Sequence, residues 1–224
     1  LFKWQVSSQK LETLSPPIFS EKNGYQGNRL LEMPIIFLDK NEHLWIAQDD
    51  GLAKFDLNTK QIELIKYPKS DPYYNEFREL RALSADQHGN IWIGTYKSGV
   101  YRYNPKTKAF VHLDDSLGLS HPEVLEIFKD NQDNIWIGTG DGIASYNKGN
   151  LQTYSLNDKF DAEYAFGFHI EQNSLWMATD RGLIHIDLTT NEMSAITREN
   201  GLPLDKIFQI VVDNNNTFWL TSNR

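Results

Sequence analysis

A short and almost wholly apolar segment centred on tryptophan recurs five times along the chain. The central tryptophans are Trp45, Trp92, Trp136, Trp176 and Trp219. Their spacing is 47, 44, 40 and 43 residues, and self-similarity at about 40–50 residues is typical of repeat architectures. Neither side of the pleat is polar in segments such as Ile91-Trp92-Ile93. A strand with this pattern is buried on both faces, as in the stacked blades of a propeller.

Polar turns separate the apolar segments at similar positions in every unit. Four units carry an aspartate six residues before the tryptophan, and Ile170 stands there in the remaining one. These aspartates are Asp39, Asp86, Asp130 and Asp213. The residues between aspartate and tryptophan are rich in Asn, Asp and Gly, which predicts a hairpin. Each unit then reads as inner strand, hairpin, tryptophan strand, glycine turn, third strand and outer strand.

This order predicts an all-β fold, a β-propeller of about five four-stranded blades that forms one domain over residues 1–224. The approximate units are 1–19 (partial), 32–66, 79–114, 123–156, 164–197 and 206–224 (partial). Residues 1–5 resemble 183–187, and residues 219–224 resemble 176–181. Two alternatives therefore stay open. In one, the N-terminal strands pair with the C-terminal strands and close the last blade; in the other, the chain is a fragment of a longer propeller array. The two are not exclusive, because a fragment can close on itself to bury its open edges.

Composition narrows the range of partners. The formal net charge is −8, which argues against nucleic acids and anionic membrane surfaces as partners because both require a basic face. No apolar run approaches the ~20 residues of a membrane span, so direct membrane insertion is not expected. The chain has no cysteine, and this excludes disulfides, zinc ribbons and thiol catalysis.

Candidate binding residues come from the loops that a propeller presents on one face. The turn after the tryptophan strand and the connection between units lie together above the central channel, where many loops make a concave site. Aromatic rings stack on sugars and Arg pairs with carboxylate or sulfate, so the sequence predicts a small-molecule or oligosaccharide signal as ligand, specifically an acidic oligosaccharide or similar anionic signal. The candidate ligand-binding residues are Arg29, Tyr73, Tyr74, Arg78, Arg81, Tyr96, Lys97, His121, Tyr164 and Arg181.

Other chemistry has weaker support in the sequence. The hairpins that begin at Asp39 and Asp130 lack the glycine and bidentate glutamate of a calcium loop, and the six histidines form no metal-spaced pair. We therefore expect no metal and no cofactor. Glycoside cleavage is the main rival function, because two carboxylates suffice for it. The carboxylates near the predicted ligand face are Glu76, Glu123, Asp161 and Glu163.

The repeat resembles the two-component regulator propeller repeat. The resemblance is carried by residues 86–95 and 130–139, by the glycines Gly99 and Gly142 that follow them, and by the Gly-Leu pair at Gly118. A second Gly-Leu pair starts at Gly201. The likeness covers nearly the whole chain.

That resemblance implies a non-catalytic, periplasmic ligand-sensing input module of a bacterial transmembrane receptor. Such receptors are hybrid histidine kinases, often for polysaccharide breakdown products, or diguanylate cyclases, and a homodimer is the expected transmitting unit. Family arrays are commonly one or two seven-bladed propellers, whereas this chain has about five units. The family shares no ligand-binding motif, so no site residue is carried over. A secreted polysaccharide glycosidase or lyase and a protein-interaction scaffold remain the alternatives.

Overall fold

The described part of the chain consists mainly of antiparallel strands and the turns between them in a computed structural model, which describes residues 2–5, 10–13, 35–48, 51–71, 74, 77, 79–113, 118–119 and 121–222. Within these residues, helical structure is confined to α1 (Asn157–Phe160) and a 3-10 turn at Arg198–Asn200. The strands are β1 (Phe2–Gln5), β2 (Lys10–Thr13), β3 (Ile35–Leu38), β4 (His43–Gln48), β5 (Gly51–Asp56), β6 (Ile62–Ile65), β7 (Leu80–Ala85), β8 (Ile91–Thr95), β9 (Val100–Asn104), β10 (Ala109–Leu113), β11 (Val124–Lys129), β12 (Ile135–Thr139), β13 (Gly142–Asn147), β14 (Asn150–Ser155), β15 (Ala165–Glu171), β16 (Ser174–Thr179), β17 (Gly182–Asp187), β18 (Met193–Ile196), β19 (Ile207–Val212) and β20 (Phe218–Ser222).

These strands form blade-like sheets in sequence order, which confirms the all-β propeller. Blade 1 is β3–β6, blade 2 is β7–β10, blade 3 is β11–β14 and blade 4 is β15–β18, each with four strands. Blade 5 consists of β19 and β20, the inner and tryptophan strands of its unit. Strands β1 and β2 pair with each other. Among the described strands they form a sheet separate from β19–β20, so the first of the two alternatives, closure by terminal strand pairing, is not seen there.

The inner strands define the propeller axis. Strand β7 contacts β3 and β11, and β15 contacts β11 and β19. Apolar side chains fill each space between blades, and the tryptophan of one blade faces the next. Trp45 packs with blade 2 residues, Trp92 with blade 3 residues and Trp176 with blade 5 residues. The last tryptophan, Trp219, is 62% exposed because none of the described blades follows it.

The aspartate at the start of each hairpin holds the hairpin and the tryptophan together. Asp130 Oδ1 accepts the backbone N–H groups of Gln132 at 2.9 Å and Asn134 at 2.8 Å. Its Oδ2 accepts Asn134 Nδ2 at 2.6 Å and the Trp136 indole N–H at 3.0 Å. The same carboxylate-to-indole bond joins Asp39 to Trp45, Asp86 to Trp92 and Asp213 to Trp219. This contact explains why the two residue types recur six positions apart.

The hairpin of blade 4 differs from the others, and the spacing to the tryptophan does not reveal the difference. Ile170 is not at the aspartate position; it pairs with Leu175 inside the sheet, and Glu171 pairs with Ser174. The hairpin is one residue shorter and turns at Gln172, which has φ 52°. A positive φ suits the primed turn of a two-residue hairpin, so the glutamate, not the isoleucine, opens the turn.

Candidate ligand-binding face

A β-bulge near the start of the inner strand sets the geometry of the predicted ligand face in four blades. The register of each inner strand against its tryptophan strand skips one residue. Bulges re-aim side chains and are common beside functional sites. We call the four skipped residues the collar, since they follow the connections between units and the inner strands surround the axis. The collar residues are Arg81, Leu125, Phe166 and Phe208.

The turns around the collar are fixed by buried threonines at the ends of the tryptophan strands. Thr95, Thr139 and Thr179 are each fully buried. Each hydroxyl donates a hydrogen bond to the carbonyl oxygen of the glycine that closes its turn, at 3.0, 3.2 and 2.9 Å. Because these bonds cross the turn, the three turns are preorganised and require little ordering on binding.

Two cations flank one aromatic ring on blade 2. The Arg81 guanidinium carbon lies 4.9 Å from the Tyr96 ring centroid, and Lys97 Nζ lies 5.4 Å from the same centroid. The Tyr96 backbone N–H donates to the Glu79 carbonyl oxygen at 3.0 Å, which holds the ring against the start of β7. Arg81 and Lys97 are exposed and Tyr96 is half-buried. The structure thus brings together three of the predicted site residues, with exposed cations beside a ring.

A second aromatic group spans blades 4 and 5. The Tyr164 and Phe166 rings are stacked with centroids 5.8 Å apart, and Phe166 meets Phe208 at 5.2 Å. Lys206 Nζ lies 4.9 Å from the Phe166 centroid and 5.2 Å from the Phe208 centroid. All three rings are half-buried and Lys206 is exposed. We call Tyr164, Phe166, Phe208 and Lys206 the aromatic wall.

An acidic side chain adjoins the aromatic wall. Glu126 follows the collar residue Leu125, and burial raises its pKa from 4.5 to about 7. Its Oε2 lies 3.6 Å from the position that a Cβ on Gly167 would occupy. The same Cβ would lie 3.0 Å from the Phe208 carbonyl oxygen. The absence of a side chain at Gly167 therefore leaves the carboxyl beside the backbone of both collar phenylalanines.

Several other predicted site residues have structural partners. Arg181 Nη2 contacts Asp161 Oδ2 at 2.9 Å, and Arg181 Nε donates to the Asp161 carbonyl oxygen at 3.0 Å. His121 Nδ1 accepts the Glu123 backbone N–H at 3.1 Å, and the half-buried Tyr74 packs against the core between blades 1 and 2. Arg29, Tyr73 and Arg78 lie outside the described residues, as does the candidate carboxylate Glu76.

Sequence reasoning missed Phe166, Phe208 and Lys206. The phenylalanines fall within apolar inner strands, where the sequence pattern does not distinguish them from core positions. The only available signal was an extra aromatic residue directly after the first apolar residue of each strand, at Ala165-Phe166 and Ile207-Phe208. These phenylalanines reach the surface only because a bulge shifts the register of each inner strand.

The part of the chain that the structure describes contains no group of three or more His, Cys, Asp or Glu side chains placed to hold a metal ion. Within the same residues, no helix has the length and apolar character needed to cross a membrane.

Comparisons with known proteins identify the repeat. Residues 118–141 match the model of the two component regulator propeller, which confirms that the chain carries this repeat. Histidine kinase P4 of Formosa agariphila is 29% identical over 217 residues, which covers 90% of this chain and 15% of the kinase. The chain therefore spans a small part of that relative.

Solved structures agree on the architecture. The extracellular domain of a putative hybrid two component system from B. thetaiotaomicron aligns with a TM-score of 0.76 at 21% identity, over 96% of this chain and 29% of that one. Virginiamycin B lyase from Staphylococcus aureus aligns with a TM-score of 0.62 at 18% identity, over 84% of this chain and 62% of the lyase. At these identities the likeness concerns the fold alone, so function has to be argued from the loop face.

Proposed function

We propose that this chain is the non-catalytic, ligand-sensing input module of a periplasmic receptor, and that its signal is an acidic oligosaccharide bound on the loop face. The observation that carries the proposal is the pairing of exposed cations with aromatic rings around the collar. Arg81 and Lys97 flank Tyr96, and Lys206 lies over two phenylalanines. Rings supply stacking surface for sugars, while guanidinium and ammonium groups pair with carboxylate or sulfate.

The relatives support the receptor part of the proposal. The sequence relative is named a histidine kinase, and the fold neighbours include extracellular domains of putative two component systems. In the whole protein, ligand binding at the propeller would change the association of two copies and thereby the activity of a kinase or cyclase output domain. The net charge of −8 disfavours nucleic acid as the signal.

Thermal unfolding against a panel of neutral and acidic oligosaccharides tests the binding site. A ligand at 100 times its dissociation constant stabilises the native state by about 2.7 kcal/mol, so the midpoint should rise with an acidic oligosaccharide. Arg81→Ala should remove most of that rise. Arg102→Ala is the matched control, because Arg102 also lies over a ring, Trp92 at 5.8 Å, but within the blade. Absence of any rise across the panel, or an equal loss in both variants, would reject the site.

Catalysis is the second candidate, since a lyase shares the fold. The same mixtures should be analysed for cleaved or unsaturated products after prolonged incubation. We expect intact sugar in every sample. Product formation that depends on Glu123 or Glu163 would replace the sensor proposal with an enzymatic one.

A further inference from the structure

The aromatic wall and Glu126 lie next to each other where the inner strands of blades 3, 4 and 5 begin. The wall offers the Phe166 and Phe208 rings, tilted by 48° to each other, with the Lys206 ammonium over both. Glu126 reaches the same backbone from the neighbouring blade, next to Gly167. Rings, a cation and a carboxyl are thus contributed by three successive blades to one surface, which is a combination suited to a polar ligand with a flat apolar face.

The surroundings of Glu126 contain little that would neutralise it. Strands β7, β8, β12 and β15 pack against its own strand β11. Their charged or titratable residues are Arg81 on β7 and His169 and Glu171 on β15, while β8 and β12 carry none. Lys129 lies on β11 itself, and Lys206 precedes β19. Among the described residues Glu126 has no hydrogen-bond partner, and its side chain is half-buried, not fully enclosed.

We propose that the aromatic wall and Glu126 form an acidic-sugar subsite in which the rings stack on the sugar, Lys206 pairs with its carboxylate, and Glu126 donates a hydrogen bond to the ligand from its protonated carboxyl. This inference rests on the proposed function and adds a proton requirement to it. A charged Glu126 repels an anionic sugar, whereas a neutral carboxyl donates a hydrogen bond to it.

The pKa of Glu126 sets the pH range over which the ligand affinity should change. Burial raises the pKa of this carboxyl to about 7, so the proton is present at pH 6 and largely absent at pH 8. If only the protonated form binds, the apparent dissociation constant is the intrinsic value divided by the protonated fraction. The affinity should therefore fall about tenfold between pH 6 and pH 8.

Isothermal titration of the chain with trigalacturonate at pH 6, 7 and 8 tests the subsite, with neutral trigalactose as the reference sugar. The galacturonate carboxylates stay charged throughout this range, so the ligand itself does not change. We expect the tenfold loss for wild type and a nearly constant affinity for Glu126→Gln, because the amide donates a hydrogen bond at every pH. Glu171→Gln is the matched control, since Glu171 lies exposed at the far end of β15, and it should keep the tenfold loss.

A second pair of variants tests the wall. Lys206→Met keeps the apolar stem and removes the charge, and it should weaken trigalacturonate binding at least tenfold without changing the affinity for trigalactose. Lys106→Met, on an exposed turn at the opposite face, should change neither. A pH-dependent affinity that persists in Glu126→Gln overturns the proton requirement, and so does a pH-independent wild type. No binding by wild type at any pH overturns the acidic-sugar function itself, so the two failures differ.

Discussion

Removal of the Asp130 carboxylate should destabilise the propeller far more than removal of Asp213, although both carboxylates make the same kind of contacts. Asp130 is 4% exposed and Trp136 is 3% exposed. Asp130→Ala therefore leaves a buried indole N–H without an acceptor and also breaks the bonds that close the hairpin. Hydrogen bonds to a charged group contribute about 1.5–3 kcal/mol each and are not additive, so we expect a loss of about 3–5 kcal/mol.

Asp213→Ala is the matched comparison. Asp213 accepts the backbone N–H groups of Asn215 at 2.8 Å and Thr217 at 3.0 Å, and the Trp219 indole N–H at 2.9 Å. Trp219 is 62% exposed, so water replaces the lost acceptor and the loss of stability should be small. Both substitutions remove an acceptor for two backbone N–H groups and one indole N–H. They differ in burial and in the bond from Asn134 Nδ2, which only Asp130 accepts.

Urea unfolding followed by tryptophan fluorescence measures both effects, because the midpoint and slope give the free energy of unfolding. Scanning calorimetry should show a fall of about 10 °C for Asp130→Ala, given about 2–4 °C per kcal/mol at this chain length. Equal losses for the two variants would refute the reasoning, since they would mean that the hairpin alone, and not the buried indole, determines the cost. An unchanged midpoint for Asp130→Ala would refute it as well.

Three further outcomes follow from the same packing and electrostatics. Gly138→Ala should lower the free energy of unfolding by about 1–3 kcal/mol in urea, because its Cβ would lie 2.6 Å from Phe168 Cζ and 2.7 Å from the Ala165 carbonyl oxygen; an unchanged midpoint would contradict the close approach of blades 3 and 4. Burial raises the pKa of Glu126 from 4.5 to about 7. The contribution of its protonated carboxyl to the free energy of unfolding is therefore complete below pH 4.5 and is lost as the pH rises through 7. Glu126→Gln should accordingly stabilise the fold by about 3 kcal/mol at pH 8 and hardly at pH 4.5, and equal urea curves at pH 8 would argue against a buried carboxyl. Burial alone would raise the pKa of Asp39, but hydrogen bonds from an indole ring and the hairpin backbone outweigh it and lower the pKa below 3.8. Its stabilisation is present above pH 3.8 and lost as the pH falls further, so acid unfolding should be less steep in Asp39→Asn, and an identical acid transition would contradict this.

The sequence predicts the blades well because their strongest constraint is local. A tryptophan strand buried on both faces has no polar position, and the aspartate that binds the indole recurs at a fixed spacing, so Asp130 and Trp136 mark a blade without any tertiary information. The order of inner strand, hairpin and tryptophan strand is predicted for the same reason.

The collar is harder to predict because a bulge changes which way a side chain lies without changing the apolar pattern. Phe166 reads as a core residue in Ala165-Phe166-Gly167, and only the shifted pairing of Ala165 and Gly167 with β16 moves it to the loop face. Likewise, the spacing to the tryptophan placed Ile170 at the aspartate position because it assumes a constant hairpin length. The hairpin of blade 4 is one residue shorter, so Ile170 lies inside the sheet. The ion-pair partners of exposed cations cannot be predicted from the repeat either. The partner of Arg181 is Asp161, and this pairing depends on loop geometry that differs between units.

Hydrogen exchange of the chain with and without trigalacturonate at pH 6 tests the central claim, that the ligand binds at the collar on the loop face. We predict slower exchange with the ligand at residues 79–82, 96–99, 123–126 and 164–167 and at 206–209. The hairpins on the opposite face should exchange at unchanged rates, at residues 40–42, 87–89, 131–133 and 214–216. Protection confined to the hairpins or the outer strands, with the collar unaffected, would contradict the account.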